Sequence, residues 1–173
     1  QTAAIRAGRW EDVGTLLLYG KTLGIIGTGG IGSQVARLGN AFGMHVIAWT
    51  AHPSLQRAEA LGVSYAELDE LLQDSDVIII CIPLTSTTQH LIGQREFGIV
   101  KPGVILVNVS RGKIVDQGAL VSALNTGEVG GAGLDVFEEE PVPADSLLLK
   151  CKNLVLTPHV GGTTPEAIAL TDS

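Results

Sequence analysis

Short apolar runs alternate with amphipathic stretches along the chain, and glycine- or proline-containing turns separate them. Thr22–Ile26 and residues 44–49 read as strands, and residues 77–81 are apolar throughout, the pattern of a parallel strand buried on both faces. Residues 63–65, 104–109, 130–136 and Leu154–Leu156 continue the series. Between them, residues 33–42 predict a helix with Val35, Leu38 and Phe42 on one face, and Pro53 opens a short helix containing Leu55, Ala58 and Leu61. Residues 66–73 predict a third helix with Leu68, Leu71 and Leu72 inward, and residues 116–125 a fourth. Residues 5–20, with Arg9-Trp10 and the Leu16-Leu17-Leu18 run, read as a helix end leading into the first strand. Strands and helices alternating at this length imply right-handed βαβ units and a doubly wound α/β domain with a parallel sheet, a Rossmann-type architecture.

Ligands of such sheets gather at the carboxyl ends of the strands. That rule draws attention to Thr50, Pro83, Ser110, Arg111 and Asp135, each just past a predicted strand. It also gives weight to Gly27-Thr28-Gly29-Gly30-Ile31-Gly32, which lies between the first strand and the first long helix. This is the context a dinucleotide-binding turn requires. Gly27 permits the tight turn, Gly29 lets backbone N–H groups near a diphosphate, and Gly32 lets the helix pack closely on the strand. Gly30 and Ile31 open that helix, whose N-terminus favours anions.

Composition narrows the classes. The chain has 173 residues, 45% hydrophobic and 17% charged, and a formal net charge of −7. It is long enough for one domain with a real core, and without a Lys/Arg cluster it is a poor ligand for nucleic acid. The longest strongly apolar stretch, residues 77–82, is far short of the roughly 20 residues that span a bilayer. No basic stretch followed by an apolar one suggests a signal peptide. Cys81 and Cys151 make neither a disulfide framework nor a metal-ligand spacing, so they read as reduced thiols of a soluble cytoplasmic protein. The chain starts at Gln1 and stops at Ser173 just after a helix begins, so both ends read as cut and residues 1–173 as an excised or partial domain.

Arg111, Asp135, Glu140 and His159 are the polar residues downstream of the glycine turn that carry chemistry. Taken singly, each has an ordinary structural explanation. Together they meet the needs of hydride transfer to a ketone: a proton donor, a cation for a neighbouring carboxylate, and a carboxylate that orients the donor. The chain also resembles the D-isomer-specific 2-hydroxyacid dehydrogenases, a family that includes glyoxylate/hydroxypyruvate reductases and phosphoglycerate dehydrogenases. The stretch Gly20 to Gly27, Pro83-Leu84-Thr85 with Thr88, Asn108-Val109-Ser110-Arg111-Gly112, the run from Leu134 to Pro141, and Thr157-Pro158-His159 carry the resemblance, in that order. It implies that Arg111 binds the substrate carboxylate, that Glu140 orients the acid–base His159, and that Pro83 and Thr88 lie beside the nicotinamide ribose. It further implies that Asp135 sits at the nicotinamide carboxamide or its ribose, that a small 2-hydroxy or 2-keto acid is the substrate, and that the protein is a homodimer.

Two departures from the family pattern matter. Thr50 occupies the position where NAD-preferring members carry an acid for the ribose hydroxyls, which permits NADP. No arginine follows at once; His52 is near and Arg57 further on, so NAD and NADP both stand as cofactors. The segments that would build the family's substrate domain are absent, which makes this chain a cofactor binder with little turnover of its own. Rival readings are an NAD(H)-sensing corepressor-like binding module, an S-adenosylmethionine methyltransferase, and an inert fragment.

Overall fold

The computed structural model describes residues 2–10 and 16–164; the helix expected just before Ser173 lies outside them. Seven strands form the sheet: β1 (Thr22–Ile26), β2 (His45–Trp49), β3 (Ser64–Tyr65), β4 (Val77–Ile80), β5 (Val104–Asn108), β6 (Val129–Leu134) and β7 (Leu154–Leu156). They run parallel in the order β3-β2-β1-β4-β5-β6-β7. The helices are α1 (Thr2–Arg6), α2 (Gly30–Ala41), α3 (Leu55–Leu61), α4 (Leu68–Asp74), α5 (Gln94–Phe97) and α6 (Gln117–Thr126). The expected doubly wound α/β architecture is therefore present. The strand order reverses at the β1–β4 pair, the place where such folds bind ligands.

Strand alternation sends the core to both faces. Leu23 and Ile25 pack with Ala36, Val46 and Ala48, whereas Ile26 packs with Leu71, Leu72 and Ile78. Helix α2 corrects the expected face. It buries Gly32, Ala36 and Gly39, Val35 is only half-buried, and Leu38 and Phe42 are 59% and 60% exposed. The cause is proximity: a Cβ on Gly39 would lie 2.6 Å from Leu23 Cδ2, so only small residues fit against the sheet.

Other boundaries shift for local reasons. Helix α3 begins at Leu55, not Pro53, because the Ser54 hydroxyl caps it by accepting from Arg57 N at 3.4 Å. Helix α4 starts at Leu68 because Ala66 N still donates to Ala48 O at 3.0 Å, prolonging the β2–β3 pairing. Helix α2 starts three residues earlier than expected, at Gly30. Strand β2 starts at His45, β4 stops at Ile80, β5 at Asn108, and β6 runs from Val129 to Leu134. Helix α5 and the single turns Gly112–Ile114 and Leu147–Lys150 have no counterpart in the sequence reading. No helix among the described residues is long and apolar enough to cross a membrane.

Candidate active site

Strand β1 leads directly into the glycine turn. Gly27 has φ +100°, a left-handed conformation costly for side-chain-bearing residues, and its N–H donates to Trp49 O at 2.8 Å. A Cβ on Gly32 would lie 1.9 Å from Gly27 O, so the helix can approach the turn only with glycine there. No side chain caps α2, whose N-cap is Gly29. A Cβ on Gly29 or Gly30 would meet nothing within 4 Å, so the turn presents an open backbone face. Ile31 contributes only its backbone N–H to this first turn, its side chain being exposed. Open glycine backbone and an uncapped helix N-terminus fit the diphosphate of a dinucleotide.

Neighbouring strand ends are tied to one another. The Thr88 hydroxyl donates to Pro83 O and accepts from Thr85 N, both at 2.8 Å, fixing the loop after β4. Ser110 Oγ donates to Ile82 O and links the ends of β5 and β4. Thr50, at the end of β2, accepts from His52 N at 3.5 Å.

At the other end of the sheet, His159 Nδ1 and Glu140 Oε2 are 2.8 Å apart. Glu140 Oε1 accepts from Phe137 N at 2.9 Å, so both carboxylate oxygens are committed. The hydrogen bond with His159, followed by that from Phe137, holds the Glu140 carboxyl below the usual glutamate range. The peptide bond between Glu140 and Pro141 is cis. His159 has φ +54°, a backbone state unusual for a side-chain-bearing residue. Strain of this kind persists where surrounding bonds over-determine it.

Asp135 supplies those bonds. It is buried at the end of β6. Its Oδ1 accepts from Thr157 Oγ1 at 2.5 Å and from Val160 N at 3.0 Å, and its Oδ2 accepts from Gly161 N at 2.9 Å. These contacts, the Thr157 hydroxyl foremost, hold the carboxyl below the usual aspartate range. They clamp the residues on both sides of His159. The carboxylate expected at the nicotinamide is thus already engaged in fixing the histidine turn.

Arg111 follows β5 and is exposed, its Nη1 donating to Ser110 O at 2.7 Å. Buried Asn108 shapes this turn: its Nδ2 donates to Arg111 O at 3.0 Å and its Oδ1 accepts from Ser110 N at 3.1 Å. Arg111, Asp135 and His159 follow the adjacent strands β5, β6 and β7, and Glu140 lies between the last two. Beside the pair opens an apolar cavity of about 560 Å³ lined by Phe137, Pro141, Leu149 and Leu156.

Residues 1–161 match the family described as D-isomer specific 2-hydroxyacid dehydrogenase, NAD binding domain. The chain belongs to that family. Glyoxylate reductase of Thermococcus gammatolerans is 44% identical over 168 residues, which is 92% of this chain and 50% of that protein. Among solved structures, a glyoxylate reductase from Paecilomyes thermophila superposes with a TM-score of 0.89 at 42% identity, over 99% of this chain and 52% of the other. A D-lactate dehydrogenase from Aquifex aeolicus, complexed with NAD and lactic acid, gives 0.88 at 35% identity, over 97% and 56%. The chain thus spans about half the length of these dehydrogenases.

Of the residues singled out in the sequence of this dehydrogenase domain, Glu140 and His159 meet directly, and Asp135 joins them through the turn it clamps. No hydrogen bond connects Arg111 to either. Sequence reasoning missed the positioning roles of Thr157 and Asn108. The available signal was a polar residue closing an apolar strand, which in a buried setting demands partners.

Proposed function

We propose that the chain is the nucleotide-binding half of an oxidoreductase that interconverts D-2-hydroxy acids and 2-keto acids with NAD(P). The 2.8 Å contact between His159 Nδ1 and Glu140 Oε2 carries this reading. It leaves Nε2 as the edge of the imidazole that faces substrate. A nicotinamide cofactor bound at the glycine turn would supply the hydride for the keto carbon in the reductive direction. His159 Nε2 then gives its proton to the oxygen, while ionised Glu140 fixes the ring and stabilises its positive charge. Arg111 grips the substrate carboxylate and polarises the ketone, a task suited to its two-pronged guanidinium. No ion pair neutralises Arg111 among the described residues.

The similarity to glyoxylate reductases supports a small 2-keto acid of the glyoxylate type as substrate. It also favours an enzyme over an NAD(H)-sensing binding module. The exposed apolar face of α2, with Ile31, Leu38 and Phe42, supports a homodimer, which light scattering tests. Free thiols at Cys81 and Cys151 fit a reducing, cytoplasmic compartment.

In the full-length enzyme, His159→Ala is expected to lower turnover by about two to four orders of magnitude. NADH binding, followed by tryptophan fluorescence, should remain. Near-wild-type turnover would remove His159 from the mechanism.

A further inference from the structure

The loop after β4, the start of α6 and the loop after β6 meet at one carboxylate, that of Glu138. Its Oε1 accepts from Gln117 N, the first residue of α6, at 3.0 Å and stands 3.1 Å from His90 Nε2. A helix leaves its first N–H groups unpaired, and a carboxylate is favoured there. His90 and Glu138 are both partly exposed, and such a pair adds little stability, so its contribution is geometric. His90 is itself fixed along its backbone. Its N–H donates to Lys113 O at 2.8 Å, and Asp116 N donates to Ile92 O at 2.9 Å. His90 holds a φ of +50°, a left-handed state that a side-chain-bearing residue keeps where its surroundings impose it. On the other side, Glu138 follows Phe137, whose N–H binds Glu140, and Glu140 contacts His159. A path of bonds thus runs from the loop after β4 to the Glu140–His159 pair.

We propose that His90 and Glu138 tether the Glu140–His159 pair to the loop after β4, so that Glu138 is a positioning residue that fixes the separation of the proton donor from the nicotinamide. The proposal rests on the reading of His159 as proton donor and of the glycine turn as the diphosphate cradle. A dinucleotide held at the turn after β1 crosses the sheet where the strand order reverses, with its adenosine on the β2 side. Its nicotinamide then falls on the β4 side. Reduction of a keto acid puts a hydride on the carbonyl carbon and a proton on the oxygen bonded to it. The two donors must converge on adjacent atoms, and a misplacement of about 1 Å can cost about a hundredfold in rate. The tether joins the loop on the nicotinamide side to the loop that carries Glu140.

Single-turnover reduction of glyoxylate by NAD(P)H in the full-length enzyme tests this. Glu138→Ala and His90→Ala should each slow hydride transfer about tenfold, with KM for nucleotide and keto acid within about twofold of the parent. Glu138→Gln, which keeps an acceptor for both partners, should recover most of the loss. Because the two residues act as one unit, the double variant His90→Ala/Glu138→Ala should be no slower than Glu138→Ala alone. His90→Ala and Glu138→Gln both leave Gln117 N its acceptor, so they decide the question if Glu138→Ala folds poorly. Unchanged hydride transfer in His90→Ala, losses that multiply in the double variant, or a rise in KM that accounts for the whole effect would overturn the tether. His159→Ala is the control that separates the two readings. Near-parent turnover in it would overturn the proton donor, whereas lost turnover there beside unchanged His90→Ala would overturn the tether alone.

Discussion

The backbone of Gly112 lies against that of Phe137, so close that a Cβ on the glycine would stand 1.9 Å from the carbonyl carbon and oxygen of Phe137. Gly112 follows Arg111, and Phe137 donates its N–H to Glu140. This single approach sets Arg111 beside the loop that carries Glu140.

Gly112→Ala must therefore push one loop away from the other. The expected cost is about 1–3 kcal/mol, the range for overpacking a tight contact, together with a lower kcat/KM for the keto acid in the full-length enzyme. Urea unfolding and steady-state kinetics check both. A variant unchanged in both would show that the two loops separate without consequence.

Glu140→Gln keeps the side chain's shape and an acceptor for Phe137 N, but removes the charge opposite His159. Turnover should drop about a hundredfold or more, the scale on which a positioned proton donor acts. Nucleotide binding at the distant glycine turn should be unaffected. Rapid-mixing kinetics of keto acid reduction, paired with an NADH titration, separate the two.

Asp135 makes an acid-dependent contribution to stability. Its folded carboxyl lies below the ordinary value of 3.8 because the Thr157 hydroxyl and two backbone N–H groups bind the charged form. As pH falls, the unfolded chain takes up this proton before the folded chain does. The contribution is thus complete above about pH 5 and is lost as pH drops through the lowered folded value. Asp135→Asn should remove that acid-side slope and cost about 1–3 kcal/mol at neutral pH by leaving donors of the histidine turn unmatched. Urea midpoints across an acid pH series measure it, and identical slopes in variant and parent would disprove the role.

The strand series was legible because the central strands are short and almost wholly apolar, with Leu23, Ile25 and Ile26 of β1 and Ile78 and Ile80 of β4 buried. The packing face of α2 was not, because the helix sits so near the sheet that glycine and alanine make the contact while Leu38 and Phe42 face outward. An apolar period marks the large side chains, and here they are on the wrong side. Arg57 reads in sequence only as a cation a helical turn or more beyond Thr50; the fold of α3 back toward Thr28 makes it a neighbour of the turn. The pairing of Glu140 with His159 was legible, but the clamp by Asp135 was not. Its partners are backbone N–H groups, and these carry no residue-type signal.

Asp135, Phe137, Glu140, Thr157, His159, Val160 and Gly161 all belong to the stretch from the end of β6 to just past β7, and they bond to one another. The alignment of His159 is therefore set by bonds made within residues 135–161 alone. On the proposed reading, a keto acid would meet a proton donor whose alignment is already set, so little binding energy need be spent on ordering it.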